Sequence, residues 1–192
     1  MTPVVGQSIP ASLGAAEVID STGRPHTLAT RWAATDALLV FVRHFACVGC
    51  AEHLAALRPR LDEITRLGVS ATIIGSGSAD QLAAFIERED LAGHEVTCFT
   101  DPTRAAYRAA GFQRSAWGTF GPIAIGQVVR AYTHGFRNGR AQGDLHQQGG
   151  TLYVRMDGTL AYYHRAHHLG DHARLVEIVD VALAERAQAA TP

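Results

Sequence analysis

Two cysteines, Cys47 and Cys50, stand where a continuous apolar run ends and a helical pattern begins: Ala37-Leu-Leu-Val-Phe-Val-Arg-His-Phe-Ala-Cys47-Val-Gly-Cys50-Ala-Glu-His53. A thiol at the start of a helix faces unsatisfied backbone N–H groups and the positive end of the macrodipole. Both favour the thiolate, which is the nucleophile and the redox-active form. Three residues apart on a helix start, the two sulfurs come within reach of a disulfide. Reversible dithiol/disulfide chemistry is the expectation, against a pair of ordinary buried thiols. Cys98, between Thr97 and Phe99, reads as a small apolar core residue, with a remote resolving thiol as the lesser option.

Other chemistry-bearing residues surround this pair in the sequence. Arg43 and His44 lie just upstream; a cation there lowers a thiol pKa, and His44 could take a proton. The competing reading points Arg43 away and leaves His44 capping a loop. His44, Cys47, Cys50 and His53 recur at three-residue spacing and make zinc the rival for the cysteines. Residues three apart lie along one helix face, so further ligands, from the His167–His172 stretch, would be needed. His164, His167, His168 and His172 otherwise read as a polar edge near the last helix. Gln147 and Gln148 bind substrate or satisfy loop backbone. Gly75-Ser-Gly-Ser78 lacks the lysine of a phosphate loop and reads as a helix entry.

The elements that must position these groups follow from periodicity. Residues 1–36 suggest a small hairpin or extended arm. Ala37 to Val42 reads as a strand buried on both faces. A helix from about Gly49 to Leu67 carries Leu54, Leu57, Leu61 and Ile64 at helical spacing, with a kink expected at Pro59 and Gly68 as its stop. Val69 to Ile74 is a strand, Asp80 to Glu89 a helix, and Glu95 to Phe99 a strand. Thr100 and Pro102 look like the N-cap and first turn of a helix from Thr103 to Ala110. Ile125, Val128, Val129, Tyr132 and Phe136 form a helical stripe opposite Arg130, His134 and Arg137, suited to sheet cover, a lid or a dimer surface. Thr151 to Arg155 and Leu160 to His164 form a hairpin around Met156-Asp-Gly-Thr. A last helix runs from about Asp171 to Ala187.

Length and charge bound the function. One domain is expected for the 192 residues, with a core over about 37–188 and a helical insertion over about 112–149. The formal net charge is −1 and every basic residue is arginine, so nucleic-acid binding has no electrostatic support. No apolar stretch reaches the ~20 residues of a membrane helix. The segment Met1-Thr-Pro-Val-Val-Gly-Gln-Ser shows no leader pattern, and a cytoplasmic location is expected. A close cysteine pair in that compartment is more often catalytic or metal-binding than structural.

Three ordered segments carry a resemblance: Phe41-Val-Arg-His-Phe-Ala-Cys-Val-Gly-Cys50, Phe99-Thr-Asp-Pro-Thr-Arg-Ala-Ala-Tyr-Arg-Ala-Ala-Gly111, and Gly143-Asp144 through Gln147-Gln-Gly-Gly-Thr151 to His164-Arg165 and Asp171-His172. Together they resemble the peroxiredoxin-like antioxidant branch of the alkyl hydroperoxide reductase / thiol-specific antioxidant (AhpC/TSA) superfamily. The resemblance implies an α/β, thioredoxin-like three-layer fold: a central mixed sheet, helices on both faces, an N-terminal hairpin and a helical insertion before the C-terminal hairpin. It places Cys50 in the peroxidatic register and Cys47 where peroxiredoxins have Thr, with Arg43 at the Pro position. Gly149 takes the place of the peroxide-facing Arg, and Gly150 that of the thioredoxin cis-Pro. In thioredoxin-like logic Cys47 attacks and Cys50 resolves; in peroxiredoxin-like logic the roles reverse.

The expected site is therefore Cys47 and Cys50 as catalytic thiols, Arg43, His44 and Arg165 as support, and Gln148, Gly149 and Gly150 as substrate contacts. Neither metal nor organic cofactor is expected. The expected activity is a thiol-dependent oxidoreductase that reduces peroxides or disulfides. A hydroperoxide or disulfide is the expected substrate, a thioredoxin-type protein or low-molecular-weight thiol the reductant, and a homodimer one option. The alternative is a zinc-binding or non-catalytic thioredoxin-fold interaction protein using the same cysteines.

Overall fold

The computed structural model describes residues 2–136 and 143–189. Its centre is a run of three parallel strands, β3 (Ala37–Phe41), β4 (Ser70–Gly75) and β5 (Val96–Thr100). Every residue of β3 is buried. Its alternation splits the core in two. Leu38, Val40 and Val42 face one layer, and Ala37, Leu39 and Phe41 face the other. Apolar side chains on both faces of a strand need helices on both sides of the sheet, and this sheet has them.

On one face lie α2 (Val48–Arg66), α3 (Ala79–Arg88) and α7 (Leu175–Ala189). The helix α2 buries Leu54, Leu57, Leu61 and Ile64, the stripe read from the sequence, and runs through Pro59. It stops at Gly68, whose φ of +75° closes the last turn as Gly68 N–H donates to Thr65 O at 2.8 Å. The helix α3 opens with a capping box in which Ser78 and Gln81 each satisfy the other's backbone N–H. The opposite face is covered by the short α1 (Ala11–Gly14) and by α4 (Ala105–Ala109), whose Tyr107 packs edge-on against Phe41.

The N-terminal hairpin, β1 (Glu17–Ile19) and β2 (Pro25–Thr27), joins the β5 edge through β1. The C-terminal hairpin, β6 (Gly150–Val154) and β7 (Leu160–Arg165), extends the other edge, with β6 antiparallel to β3. The sheet order is β2-β1-β5-β4-β3-β6-β7. Two helices, α5 (Ala116–Phe120) and α6 (Pro122–Thr133), form the part of the insertion before β6 that lies within the described residues.

Two local expectations change. Thr100 ends β5 and does not cap α4; the buried Asp101 carboxylate accepts from Ala105 N–H at 3.2 Å and Ala106 N–H at 2.8 Å. The helical stripe of α6 is not sheet cover. Only Ala124 and Ala131 are buried, whereas Ile125 and Val129 are 55% and 58% exposed. The helix is held by its polar residues: Arg130 and His134 both bond Glu52 of α2, at 2.8 and 2.9 Å. Arg137, grouped with them in the sequence, lies outside the described residues.

Candidate active site

The strand β3 points its C-terminal end at the N-terminus of α2, and the six residues between them build the site. Cys47 is the N-cap of α2. Its sulfur accepts Cys50 N–H at 3.4 Å, so a thiol does the capping usually done by a hydroxyl or carboxylate. The Cys50 thiol hydrogen-bonds to the Cys47 sulfur, and Arg43 lies close by; together with the backbone N–H groups of Cys50 and Gly49 they pull the Cys47 pKa down to about 7. Cys50 moves the other way. Its bond to Cys47, burial and the charge of Cys47 push its pKa well above the usual thiol range. The pair is an acidified thiol beside a protonated one, with no disulfide between them.

The two sulfurs meet different surroundings. Both residues are buried, but Cys47 lines a cavity of about 420 Å³ with His44, Phe120, Ile125, Val128, Val129 and Leu169. The exposed side chains of Phe120, Ile125 and Val129, on α5 and α6, form one wall of this cavity. Cys50 instead lines a much smaller cavity of about 10 Å³ between α2 and the C-terminal hairpin, with His53, His164, Asp171 and His172.

Arg43 borders both cavities. Its backbone N–H donates to Cys50 Sγ at 3.5 Å. Its guanidinium donates to the carbonyls of Gln147 and Leu145, at 3.2 and 2.6 Å, and to Thr119 Oγ1 at 2.6 Å. Among the described residues no carboxylate pairs with it, so its buried positive charge is left to act on the sulfurs. His44 adds no second cation. Burial and Arg43 depress its pKa to about 4, and its Nδ1 accepts Ala46 N–H at 3.3 Å.

The remaining expected residues divide. Gly149 and Gly150 line the small cavity. A Cβ on Gly149 would stand 2.0 Å from Phe41 O, and one on Gly150 2.3 Å from Phe112. Glycine is there because β6 passes β3 and Phe112 too closely for any side chain. Gln148 is buried away from both cavities, and its amide donates to His146 O at 3.0 Å and Ser115 O at 3.3 Å; it satisfies loop backbone. Alternation along β7 puts Arg165 on the face of Tyr163 and the second core, opposite His164. Cys98 is buried in the core and its pKa is pushed up to about 12, an inert thiol.

Three of the histidines expected at a polar edge lie beside Cys50. His164, His168 and His172 line the cavity beside Cys50, and His53 stacks on His172 with ring centroids 4.3 Å apart. Only the folded hairpin brings residues 53 and 172 together. Among the described residues no three His, Cys, Asp or Glu side chains are arranged to hold a metal ion.

The model for the AhpC/TSA antioxidant enzyme family matches residues 53–168. The chain belongs to that family. It is a peroxiredoxin-like member of a family of thiol oxidoreductases, as its sequence segments implied. Thioredoxin-like protein AAED1, chloroplastic, of Arabidopsis thaliana is 33% identical over 69% of this chain. The chain spans about half (52%) of that relative's length. Peroxiredoxin-like 2C of Mus musculus is 28% identical over 92% of this chain and 81% of its own. In structure the chain is similar to peroxidoxin BcpB of Mycobacterium tuberculosis, with a TM-score of 0.67, 15% identity, and coverage of 95% and 97% of the two chains. That likeness establishes the thioredoxin-like fold. No helix among the described residues of this AhpC/TSA protein is long and apolar enough to cross a membrane.

Proposed function

We propose that this chain is a thiol peroxidase in which Cys47 attacks and Cys50 resolves. One observation carries the reading. The sulfur with the lowered pKa is the one that lines the larger cavity, and the protonated sulfur sits behind it. The apolar wall of Phe120, Ile125, Val128 and Val129 suits an organic hydroperoxide with an apolar tail.

In the first step the Cys47 thiolate attacks the outer oxygen of the hydroperoxide. The O–O bond breaks, Cys47 becomes a sulfenic acid, and the departing alkoxide takes a proton from solvent to leave as the alcohol. In the second step the Cys50 sulfur displaces the hydroxyl from Cys47, giving a disulfide and water. Two electrons from a thioredoxin-type protein or a low-molecular-weight thiol restore the dithiol. No organic cofactor enters the cycle. Arg43 supports the thiolate through its charge and holds the 145–147 segment against the site.

Trapping the sulfenic acid in single-cysteine variants tests the assignment. Cys50→Ser treated with one equivalent of cumene hydroperoxide should be labelled by dimedone at Cys47, and Cys47→Ser should not be labelled. Labelling only in Cys47→Ser would reverse the two roles. If neither is labelled while the wild type reduces a model disulfide, the protein is a disulfide-exchange enzyme, the activity that the Cys-x-x-Cys spacing equally supports.

A further inference from the structure

Disulfide closure must carry a proton away from Cys50. Cys50 must lose its thiol proton as it closes the disulfide, and it sits away from the larger cavity. The only cavity it lines among those described is the small one between α2 and β7, with room for about one water. The Nε2 atoms of His53 and His164 are buried there without a hydrogen-bond partner, a state that costs free energy unless it serves a purpose.

The histidines around this cavity are not equivalent. His172 donates from Nε2 to Gly49 O at 3.0 Å, so that nitrogen already carries its proton. His53 is stacked face to face on His172, and a charge on either ring would be placed against the other. His168 is engaged at Nδ1 with Leu169 O at 3.1 Å. Of these rings, His164 is the one with a nitrogen within ion-pair distance of a carboxylate: its Nε2 is 3.2 Å from Asp171 Oδ1, out of line for a hydrogen bond but close enough to stabilise a cation. Asp171 is itself fixed, since its Oδ2 accepts His167 N–H at 2.8 Å.

We propose that His164, backed by Asp171, receives the proton of Cys50 through a water in this cavity during disulfide closure, and returns it when the disulfide is reduced. The step balances. The S–H bond of Cys50 breaks, its proton passes to His164, and the S–S bond forms as the S–O bond of Cys47 breaks. The hydroxide leaves into the larger cavity and takes a proton from solvent, and His164 later gives its proton back to solvent or to Cys50. This inference rests on the Cys47–Cys50 cycle proposed above. The charged and titratable groups facing Cys50 are Cys47 and His53 on α2, Arg43 before it, Tyr107 on α4, His164 on β7, and His168, Asp171 and His172 after β7. Burial and His164 hold His53 near a pKa of about 4, and burial and His53 hold His172 near about 3, which agrees with neither being the acceptor.

The closure step is read by acid quench and intact mass after a rapid pulse of cumene hydroperoxide, between pH 6 and 9, on the full chain. Wild type should close at a rate that changes little between pH 7 and 9 compared with the variant below. His164→Gln should close at least tenfold more slowly at pH 7, the scale of a lost proton acceptor, and should speed up about tenfold per pH unit towards pH 9. Asp171→Asn, which keeps the acceptor for His167 N–H, should fall between the two. Closure in both variants with the wild-type rate and pH profile overturns the proposal, as does slowing confined to a His53→Gln variant. A wild type that forms no Cys47–Cys50 disulfide at all would instead sink the underlying cycle.

Discussion

At the scale of single residues, the site works by making two chemically identical groups unequal. Cys47 and Cys50 share a helix start, yet the Cys47 sulfur accepts from both the backbone N–H and the thiol of Cys50, whereas the Cys50 sulfur donates to Cys47 and accepts Arg43 N–H. Alkylation of the reduced protein by iodoacetamide, followed against pH, should therefore show Cys47 reacting with a midpoint near 7 and Cys50 protected throughout. Arg43→Met should move the Cys47 midpoint upward, by about one unit, because a cation beside a thiolate is removed. A midpoint that does not move would show that the helix start alone ionises the thiol. The cysteines, Arg43 and His44 were legible in the sequence because strand, turn and helix follow one another without a break. The neutral state of His44 was not legible, since it depends on burial that residues outside the segment supply.

At the scale of elements, the ends of strands and helices hold the site in place. Asp101 caps α4 with both carboxylate oxygens and is fully buried; α4 in turn carries Tyr107, whose hydroxyl donates to Val42 O and Ile74 O beside the site. Asp101→Ala should lower stability by about 1–2 kcal/mol, the usual cost of a lost cap, seen as a lower urea midpoint with an unchanged slope. Gly150→Ala puts a methyl against Phe112 and His164 O. It should cost on the order of 1–3 kcal/mol through overpacking and disturb the cavity beside Cys50. An alanine variant with wild-type stability and closure rate would mean that β6 can shift freely. The strand and helix ranges came out of the sequence to within a few residues because each has a clear apolar period. The cap of α4 did not, because Thr100 and Asp101 are both good N-cap residues and only the end of β5 decides between them.

At the scale of the whole molecule, burying histidines makes stability depend on pH. His44, His53 and His172 have folded-state pKa values of about 4, 4 and 3, against 6.5 in the unfolded chain. Between pH 6.5 and about 4 the unfolded chain therefore binds more protons, and stability falls as pH falls. Each group contributes about 1.4 kcal/mol per pH unit in that window, and none above it. Urea unfolding of the reduced protein should show a midpoint that drops steeply from pH 6 to 5 through these histidines, with a separate fall from pH 8 to 7 because the Cys47 thiol is lowered to about 7 in the fold. His53→Phe, which keeps an aromatic ring against His172, should flatten that drop. An unchanged drop would place the acid sensitivity elsewhere.

The order of elements, the placement of the Cys-x-x-Cys pair at a helix start and the family were determined by the sequence itself, because each rests on patterns among near neighbours along the chain. Hydrophobic period, helix start and Cys-x-x-Cys spacing are all local quantities. Which sulfur faces the larger cavity, where Arg165 points, and the gathering of His53, His164 and His172 around Cys50 were decided only by tertiary structure. Those facts depend on how the C-terminal hairpin registers against β3 and lies beside α2, and that register joins residues more than a hundred positions apart. A one-residue slip would turn every side chain of β7 to the other face, and no local pattern in the chain records which way it settled.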